Sequence, residues 1–419
     1  MVTLAVGVGL VSILIAMPFR SGLFALWAVV VLRSLCDYGV VDSSRPMLVA
    51  SLSSVLPVVA IAYALSLWLS GKLKLRNRWL LALGVFVVLW QIVAFLDFGI
   101  RPSILNEVVR LLSILAVFAV ATCAAGSLQR ISTYAISLFI PAAAVAIIVM
   151  VLSLPHTVVN DRFTYTFSHP NAAGVYFGVA FLVALGIAIS GKSPLSIGVA
   201  VIALILLTAT ASLTSLLAAA IGAIALLTVS PDLGSSRKVQ IGFFGGILIF
   251  AAVEILNVSD RFNEFAASDV AGDPDSFQWR LENWRLLIDQ WKMSKVLGFG
   301  TGTTNSIINP LGGPPHNVYV QFLVEYGLIG IVLFAVGYAL FLKSSYKLAR
   351  SGVGELSGLS FGVLVYLGVC GLAGNTVGYT AAMYAAAAVV GLSFGEAWIG
   401  KGRGGVPQLG PQNSKGAAL

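Results

Sequence analysis

The stretch from Pro194 to Val229 reads PLSIGVAVIALILLTATASLTSLLAAAIGAIALLTV and contains no charged residue. As one α-helix rising 1.5 Å per residue it would run about 54 Å, against a hydrocarbon core of about 30 Å. It is therefore read as two crossings, broken at Thr208-Ala-Thr-Ala-Ser212, where small polar residues cluster. Adjacent helices that are apolar on every face have no place on the surface of a soluble domain. Working outward, runs with little or no charge recur at roughly 3–18, 21–35, 46–70, 79–96, 104–125, 131–153, 171–190, 239–257, 316–342, 355–374 and 377–398. The first two are split only by Arg20 and count as one crossing or two. The expected fold is all-α, a polytopic integral membrane helix bundle of about 12 (12–13) transmembrane helices.

Composition agrees. Only 10% of the 419 residues are charged, 58% are hydrophobic, and mean hydropathy is +0.95. That excludes a disordered chain, and three cysteines (Cys36, Cys123, Cys370) without a CxxC pair exclude a disulfide scaffold. The net charge of +8 is read as the positive bias of cytoplasmic loops, not as a nucleic-acid surface, since no basic stripe with interleaved aromatics is present. Met1 to Phe19 has no cation before Arg20, which suits a retained helix better than a cleaved leader.

Lys and Arg set the sidedness. Lys72, Lys74, Arg76, Arg78, Arg130, Lys192, Arg237, Lys238, Lys343, Lys347 and Arg350 fall in alternate loops, and Lys401, Arg403 and Lys415 follow the last run. These are assigned to the cytoplasm. Residues 1–400 then form a single transmembrane domain, with a cytoplasmic, disordered Gly/Pro-rich tail at 401–419. The opposite face carries His156, His169 and His316 and the one long loop, 258–315, the expected catalytic loop. Loops of such length in compact proteins usually carry function.

Within that loop, Phe277, Leu281, Trp284, Ile288 and Trp291 are spaced 4, 3, 4 and 3, one face of an amphipathic helix. Trp279, Trp284 and Trp291 suit a membrane–water boundary. Arg280 and Arg285 flank this face. They either meet lipid headgroups and the neighbouring Glu282 and Asp289, or bind a phosphate, for which the guanidinium fork is suited. Val296-Leu-Gly-Phe-Gly-Thr-Gly-Thr-Thr304 follows, a glycine loop whose N–H groups could form an anion nest. Gly312-Gly-Pro-Pro-His-Asn-Val-Tyr319 then opens an apolar helix, Gln321–Leu342. His316 at its mouth is either a hydrogen-bonded interfacial histidine or a general base toward a hydroxyl. Glu325 is expected roughly 13 Å deeper along the helix, where an acid is functional or paired.

A third cluster is Asp161-Arg-Phe-Thr-Tyr-Thr-Phe-Ser-His-Pro-Asn171, in which Asn171 reads as a helix cap and Arg162 as a second positive charge. Glu107 and Arg110 are spaced to pair on one helix face, leaving Arg101 for an anionic ligand. No HxxxH or HExxH occurs, so neither a metal nor another cofactor is expected.

Taken in order, these residues resemble the bacterial O-antigen ligase and O-antigen polymerase family of membrane glycosyltransferases. The resemblance rests on His169-Pro-Asn171, Ser212-Leu-Thr-Ser215, Arg280-Leu-x-x-Trp284, Leu297-Gly-Phe-Gly-x-Gly302, His316-Asn-x-Tyr319 and Glu325-Tyr-Gly-Leu-Ile-Gly330. It implies a multi-pass protein of the bacterial plasma membrane, acting on the outer face. The donor it implies is a glycan on polyprenyl diphosphate, and the acceptor hydroxyl belongs to a glycan, lipid or protein. It assigns His316 to the acceptor hydroxyl and Arg280 to the diphosphate, as catalytic residues; Arg162, Arg101, Arg285, Asn317, Tyr319, His169, Asn171, Ser212 and Glu325 are read beside them as candidate substrate-binding residues. One departure stands out: the family often has a cation directly after the serine of Ser-x-Thr-Ser, and here it is Leu213. Arg162, Arg101 or Arg285 are the candidates to replace it.

The rival readings are a transporter or flippase of lipid-linked glycan and a non-catalytic scaffold. A transporter favours charges and helix breaks near mid-membrane in paired segments, whereas here charge gathers at run ends. A scaffold leaves His316, Arg280 and the glycine loop without a joint purpose.

Overall fold

The computed structural model describes residues 22–37, 47–73, 78–152, 158–159, 162–191, 195–231, 233–236, 238–240, 242, 246 and 277–403. Its α-helices are α1 (Gly22–Leu35), α2 (Met47–Leu69), α3 (Arg78–Phe98), α4 (Pro102–Ala124), α5 (Ile131–Ser137), α6 (Ile140–Val151), α7 (Pro170–Ile189), α8 (Leu195–Ala209), α9 (Leu213–Val229), α10 (Phe277–Trp291), α11 (Val318–Ser351), α12 (Leu359–Cys370) and α13 (Thr380–Arg403). A two-residue antiparallel hairpin, β1 (Val158–Val159) with β2 (Arg162–Phe163), precedes α7.

Among the described residues six helical segments are long and apolar enough to cross a membrane: Leu81–Phe98, Pro102–Ser127, Ile131–Val151, Pro170–Ile189, Val318–Ser351 and Thr380–Ile399. Five shorter apolar helices, Gly22–Leu35, Ser53–Leu69, Leu195–Ala209, Leu213–Val229 and Leu359–Cys370, accompany them. The chain is an all-α integral membrane protein. Of the expected runs, 3–18 and most of 239–257 lie outside the described residues, as do 258–276 of the long loop and the tail from 404. The last helix continues to Arg403, three residues past the expected boundary at 400.

The break expected in the charge-free stretch falls between Ala209 and Leu213, with Ala211 at φ 48°. The two halves then part company: α8 packs along α7, and α9 packs chiefly against α12. The run 131–153 also divides, at Leu138-Phe139. Pro141 explains this division, because its ring nitrogen has no N–H to donate and is tolerated only in the first turn of a new helix.

The helices α7 and α13 form the centre; 72% and 78% of their most apolar windows are enclosed by protein, against 17% for α3 and 28% for α11 at the periphery. Peripheral helices accordingly present leucine, isoleucine and valine outward, among them Leu89 and Ile92 on α3 and Val332, Leu333 and Val336 on α11. That inversion is stable only where the surroundings are hydrocarbon.

An aromatic cluster fixes the hairpin to the centre. Tyr165 stands edge-on to Phe177 at 5.3 Å between ring centroids, and Phe167 meets Tyr176 at 5.0 Å. Tyr165, Phe167, Tyr176 and Phe177 are all buried. Their burial holds the segment after β2 against the start of α7 and so places Arg162.

Candidate functional site

His316 is delivered by a short connection that three elements grip. It is 7% exposed and has φ 51°, a left-handed backbone uncommon for a residue with a side chain. On its N-terminal side, the Trp284 indole N–H donates to the Pro315 carbonyl at 2.6 Å, and the Asn283 amide donates to the Pro314 carbonyl at 3.4 Å. On its C-terminal side, Asn317 caps α11: its Oδ1 accepts from Tyr319 N at 2.9 Å and Val320 N at 3.0 Å. The Asn317 Nδ2 meanwhile donates to the Leu372 carbonyl at 2.9 Å. The Trp279 ring stands edge-on to the imidazole, 6.1 Å between centroids.

Arg280, 6% exposed, reaches the same place: its Nη1 donates to the Ala373 carbonyl at 3.2 Å. Asn317 and Arg280 thus occupy the carbonyls of consecutive residues, Leu372 and Ala373, just beyond the end of α12. The guanidinium and the residue next to the imidazole are gathered at one point.

The expected helix in the long loop is present as α10. The residues turned into the protein are Arg280, Asn283 and Leu287, while Leu281 is 44% exposed. The face is one position N-terminal to the apolar stripe 281, 284, 288. Arg280 and Asn283 turn inward because backbone carbonyls of the loops beneath them accept their hydrogen bonds. Leu281 turns outward, which costs little where lipid lies beside the helix, while Trp284 and Ile288 are half-buried. Arg285 lies on the exposed side and pairs with Glu282 at 3.4 Å, away from Arg280 and His316. Asp289 and Lys292 pair nearby at 2.7 Å, and this contact holds the Asp289 carboxyl below its ordinary range.

The expectation of a straight helix after His316 is overturned. α11 is broken at Gly327, which has φ 63° and ψ −165°. The break turns its first segment back, so that Phe322 and Phe334 touch with centroids 4.6 Å apart. Twelve residues in an unbroken helix would separate them by about 18 Å. Glu325 precedes the break, so it keeps its place roughly 13 Å along the helix from His316. It lies buried in the turn, where its Oε1 accepts from Thr304 Oγ1 at 2.5 Å and Gln321 Nε2 at 3.3 Å.

The glycine loop serves that break, and the anion its backbone meets is the chain's own Glu325 carboxylate, which accepts from Thr304 N at 3.4 Å. Phe299 N and Gly300 N donate to the Val324 and Glu325 carbonyls at 3.1 and 2.8 Å, while Leu328 N and Ile329 N donate to Lys295 O and Val296 O at 2.9 and 3.3 Å. The backbone groups freed by the kink are thereby satisfied within the protein, as membrane depth requires. Gly298 has φ 69°, and a Cβ there would come within 2.6 Å of the Glu325 and Gly327 backbone. Only glycine permits both the turn and the approach.

A second cluster forms around Arg162. Its Nη2 donates to Asn171 Oδ1 at 2.6 Å and its Nε to the Thr210 carbonyl at 3.1 Å. The helix cap is His169, not Asn171: His169 Nδ1 accepts from Asn171 N at 3.1 Å. This leaves the Asn171 side chain for Arg162. Thr210 lies three residues before Leu213, the position where the expected cation is missing. Ser212 is spent differently. It donates to Ser215 Oγ at 2.9 Å and packs against Gly174 in the α7–α9 seam. Tyr319 donates to the Gly368 carbonyl at 2.7 Å, tying α11 to α12. Arg101 is exposed and donates to Phe98 O at 3.1 Å across the α3–α4 turn. His156 lies outside the described residues.

Glu107 and Arg110 pair as expected. A second buried pair, Arg33 with Asp37 at 2.8 Å, was not singled out from the sequence, although its i, i+4 spacing at a helix end signals it. Asn283 was also passed over, because a polar residue inside an amphipathic stripe ordinarily marks the solvated face.

Residues 198–335 match the O-antigen ligase family. The match covers about a third of the chain and bears out the family resemblance over that stretch. It takes in Ser212, Arg280, the glycine loop, His316 and Glu325. Arg162, His169 and Arg101 lie before it. No curated protein matches the chain. The O-antigen ligase match, together with the apolar helices, marks an integral membrane protein of cell-surface polysaccharide assembly with a glycosyl-transferring role.

Proposed function

We propose that the chain transfers an oligosaccharide or polysaccharide from polyprenyl diphosphate to an acceptor hydroxyl on the outer face of the plasma membrane, without a metal. The observation that carries this reading is the meeting of Arg280 and Asn317 on the adjacent carbonyls of Ala373 and Leu372, which gathers a guanidinium and the His316 segment at one point.

In the step, the acceptor oxygen bonds to the anomeric carbon as the bond from that carbon to the diphosphate oxygen breaks. The acceptor's proton passes to a ring nitrogen of His316. The electron pair leaves with the polyprenyl diphosphate, which gains one negative charge. Arg280 stabilises that charge with a forked pair of N–H donors. A diphosphate leaves readily, so base assistance at the acceptor matters more than acid assistance at the leaving group. Arg162, beside Thr210, supplies the second positive charge that Leu213 does not. Asn317, Tyr319, Glu325 and His169 act by holding the site's backbone, Asn171 holds the Arg162 side chain, Ser212 joins Ser215, and Arg101 and Arg285 stand apart.

Purified protein supplied with a polyprenyl-diphosphate oligosaccharide tests the reading. A ladder of lengthening lipid-linked products marks a polymerase, and transfer only to an added acceptor marks a ligase. Intact substrate under both conditions contradicts the proposal and favours a transporter of lipid-linked glycan.

A further inference from the structure

We infer that Trp284 is a positioning residue: its indole N–H, 2.6 Å from the Pro315 carbonyl, holds His316 in its left-handed backbone conformation and thereby aims the imidazole. The inference deepens the proposed function and rests on its assignment of His316 as the base.

The argument begins with the backbone. A side chain at φ 51° persists only where its surroundings over-determine it, because the right-handed and extended regions are lower in energy. Rotating the Pro315–His316 peptide toward those regions would swing the Pro315 carbonyl and the imidazole together. Trp284 grips that carbonyl directly, and the bond is short for a neutral N–H donor. Asn283 holds the preceding carbonyl, and its own burial, with no exposed surface, keeps α10 seated on the segment. On the other side, Val318 N donates to Gly371 O at 2.9 Å, so the chain is held both before and after His316.

α10 also carries Arg280, one turn before Trp284. A single rigid helix therefore fixes the guanidinium on Ala373 and the imidazole through Pro315. The distance between the cation and the base is set by the helix rather than by the long connection between them. An indole is suited to this task, because it buries a large apolar ring while offering one directed donor.

The test is Trp284→Phe, which keeps an aromatic ring and removes the N–H. The expected result is a fall in kcat on the order of 10- to 100-fold, as for an ångström-scale misplacement of a reacting group. The KM for the polyprenyl-diphosphate oligosaccharide should stay within about twofold, since Arg280 still holds Ala373. The wild-type inflection of rate against pH that His316→Ala removes should be weakened in Trp284→Phe as well. Should Trp284→Phe fail to fold, Asn283→Ala, which removes the weaker grip, is expected to lower kcat several-fold with the same unchanged KM. Wild-type kcat in the folded variant overturns the inference, and so does a loss carried by KM with the pH profile intact. If His316→Ala itself turns over like wild type, the base assignment fails first. If His316→Ala is inactive while Trp284→Phe is fully active, only the positioning role fails.

Discussion

At the scale of single residues, the buried polar side chains divide into those spent on backbone groups and those that bring charge to one place. Asn317, Tyr319, Ser212 and Glu325 each make hydrogen bonds that close turns or join helices. Arg280 and Arg162 also touch carbonyls, and their guanidinium forks are suited to an anion. The Leu213 position gives a direct test of Arg162. Arg162→Ala is expected to lower glycan transfer on the order of 100- to 1,000-fold, the range for losing one charge-stabilising donor. Adding Leu213→Arg to that variant is expected to return part of the activity, measured as released glycan per unit time. A double variant no better than Arg162→Ala would show that the two positions do not serve the same charge. The motif residues were legible in the sequence, but their division of labour was not. Whether an asparagine caps a helix or receives an arginine depends on which neighbour takes the cap, and here His169 takes it.

At the scale of elements, the break in α11 was hidden in Glu325-Tyr-Gly-Leu-Ile-Gly330. A single glycine within an apolar run lowers helix propensity by only about 1 kcal/mol, so the run still reads as one span. What breaks it is the partner segment, Lys295–Gly300, whose backbone satisfies the carbonyls and N–H groups on both sides of Gly327. That partner is distant in sequence and leaves no periodic signal. Gly327→Ala is predicted to destabilise the fold by roughly 1–3 kcal/mol or more, from the positive φ alone. A Cβ there would also stand 2.6 Å from Gly298 N. Thermal unfolding in detergent would register the loss as a lower midpoint, and an unchanged midpoint would mean that the break tolerates a side chain. The face of α10 teaches the complementary lesson. Periodicity found the helix, because a 3.6-residue repeat survives any environment. It left the packed face open, because the rule that apolar residues point inward presumes water on the other side.

At the scale of the whole molecule, the scarcity of charge was the most legible property, since a charge in hydrocarbon is costly and its absence over long runs has one cause. The same scarcity makes the buried pairs consequential. Asp37, just past the end of α1, sits 2.8 Å from Arg33, yet burial pushes its carboxyl up to about 6 against the pull of that partner. An acid whose pKa is raised on folding binds more protons folded than unfolded between its two pKa values. Stability should therefore rise as pH falls from about 6 toward 3.8, and the carboxylate's full cost is carried above 6. The unfolding midpoint is expected to climb between pH 7 and pH 5, and Asp37→Asn should flatten that slope. An unchanged slope in Asp37→Asn would assign the pH dependence elsewhere.

The central claim is that Arg280 and His316 together perform glycosyl transfer from a lipid diphosphate. Purified wild type, His316→Ala and Arg280→Ala, each checked for membrane insertion, can be given a polyprenyl-diphosphate oligosaccharide and an acceptor, and the released polyprenyl diphosphate measured. The account predicts release by wild type and a loss on the order of 100-fold or more in each variant. Release at the wild-type rate by inserted His316→Ala or Arg280→Ala would contradict it.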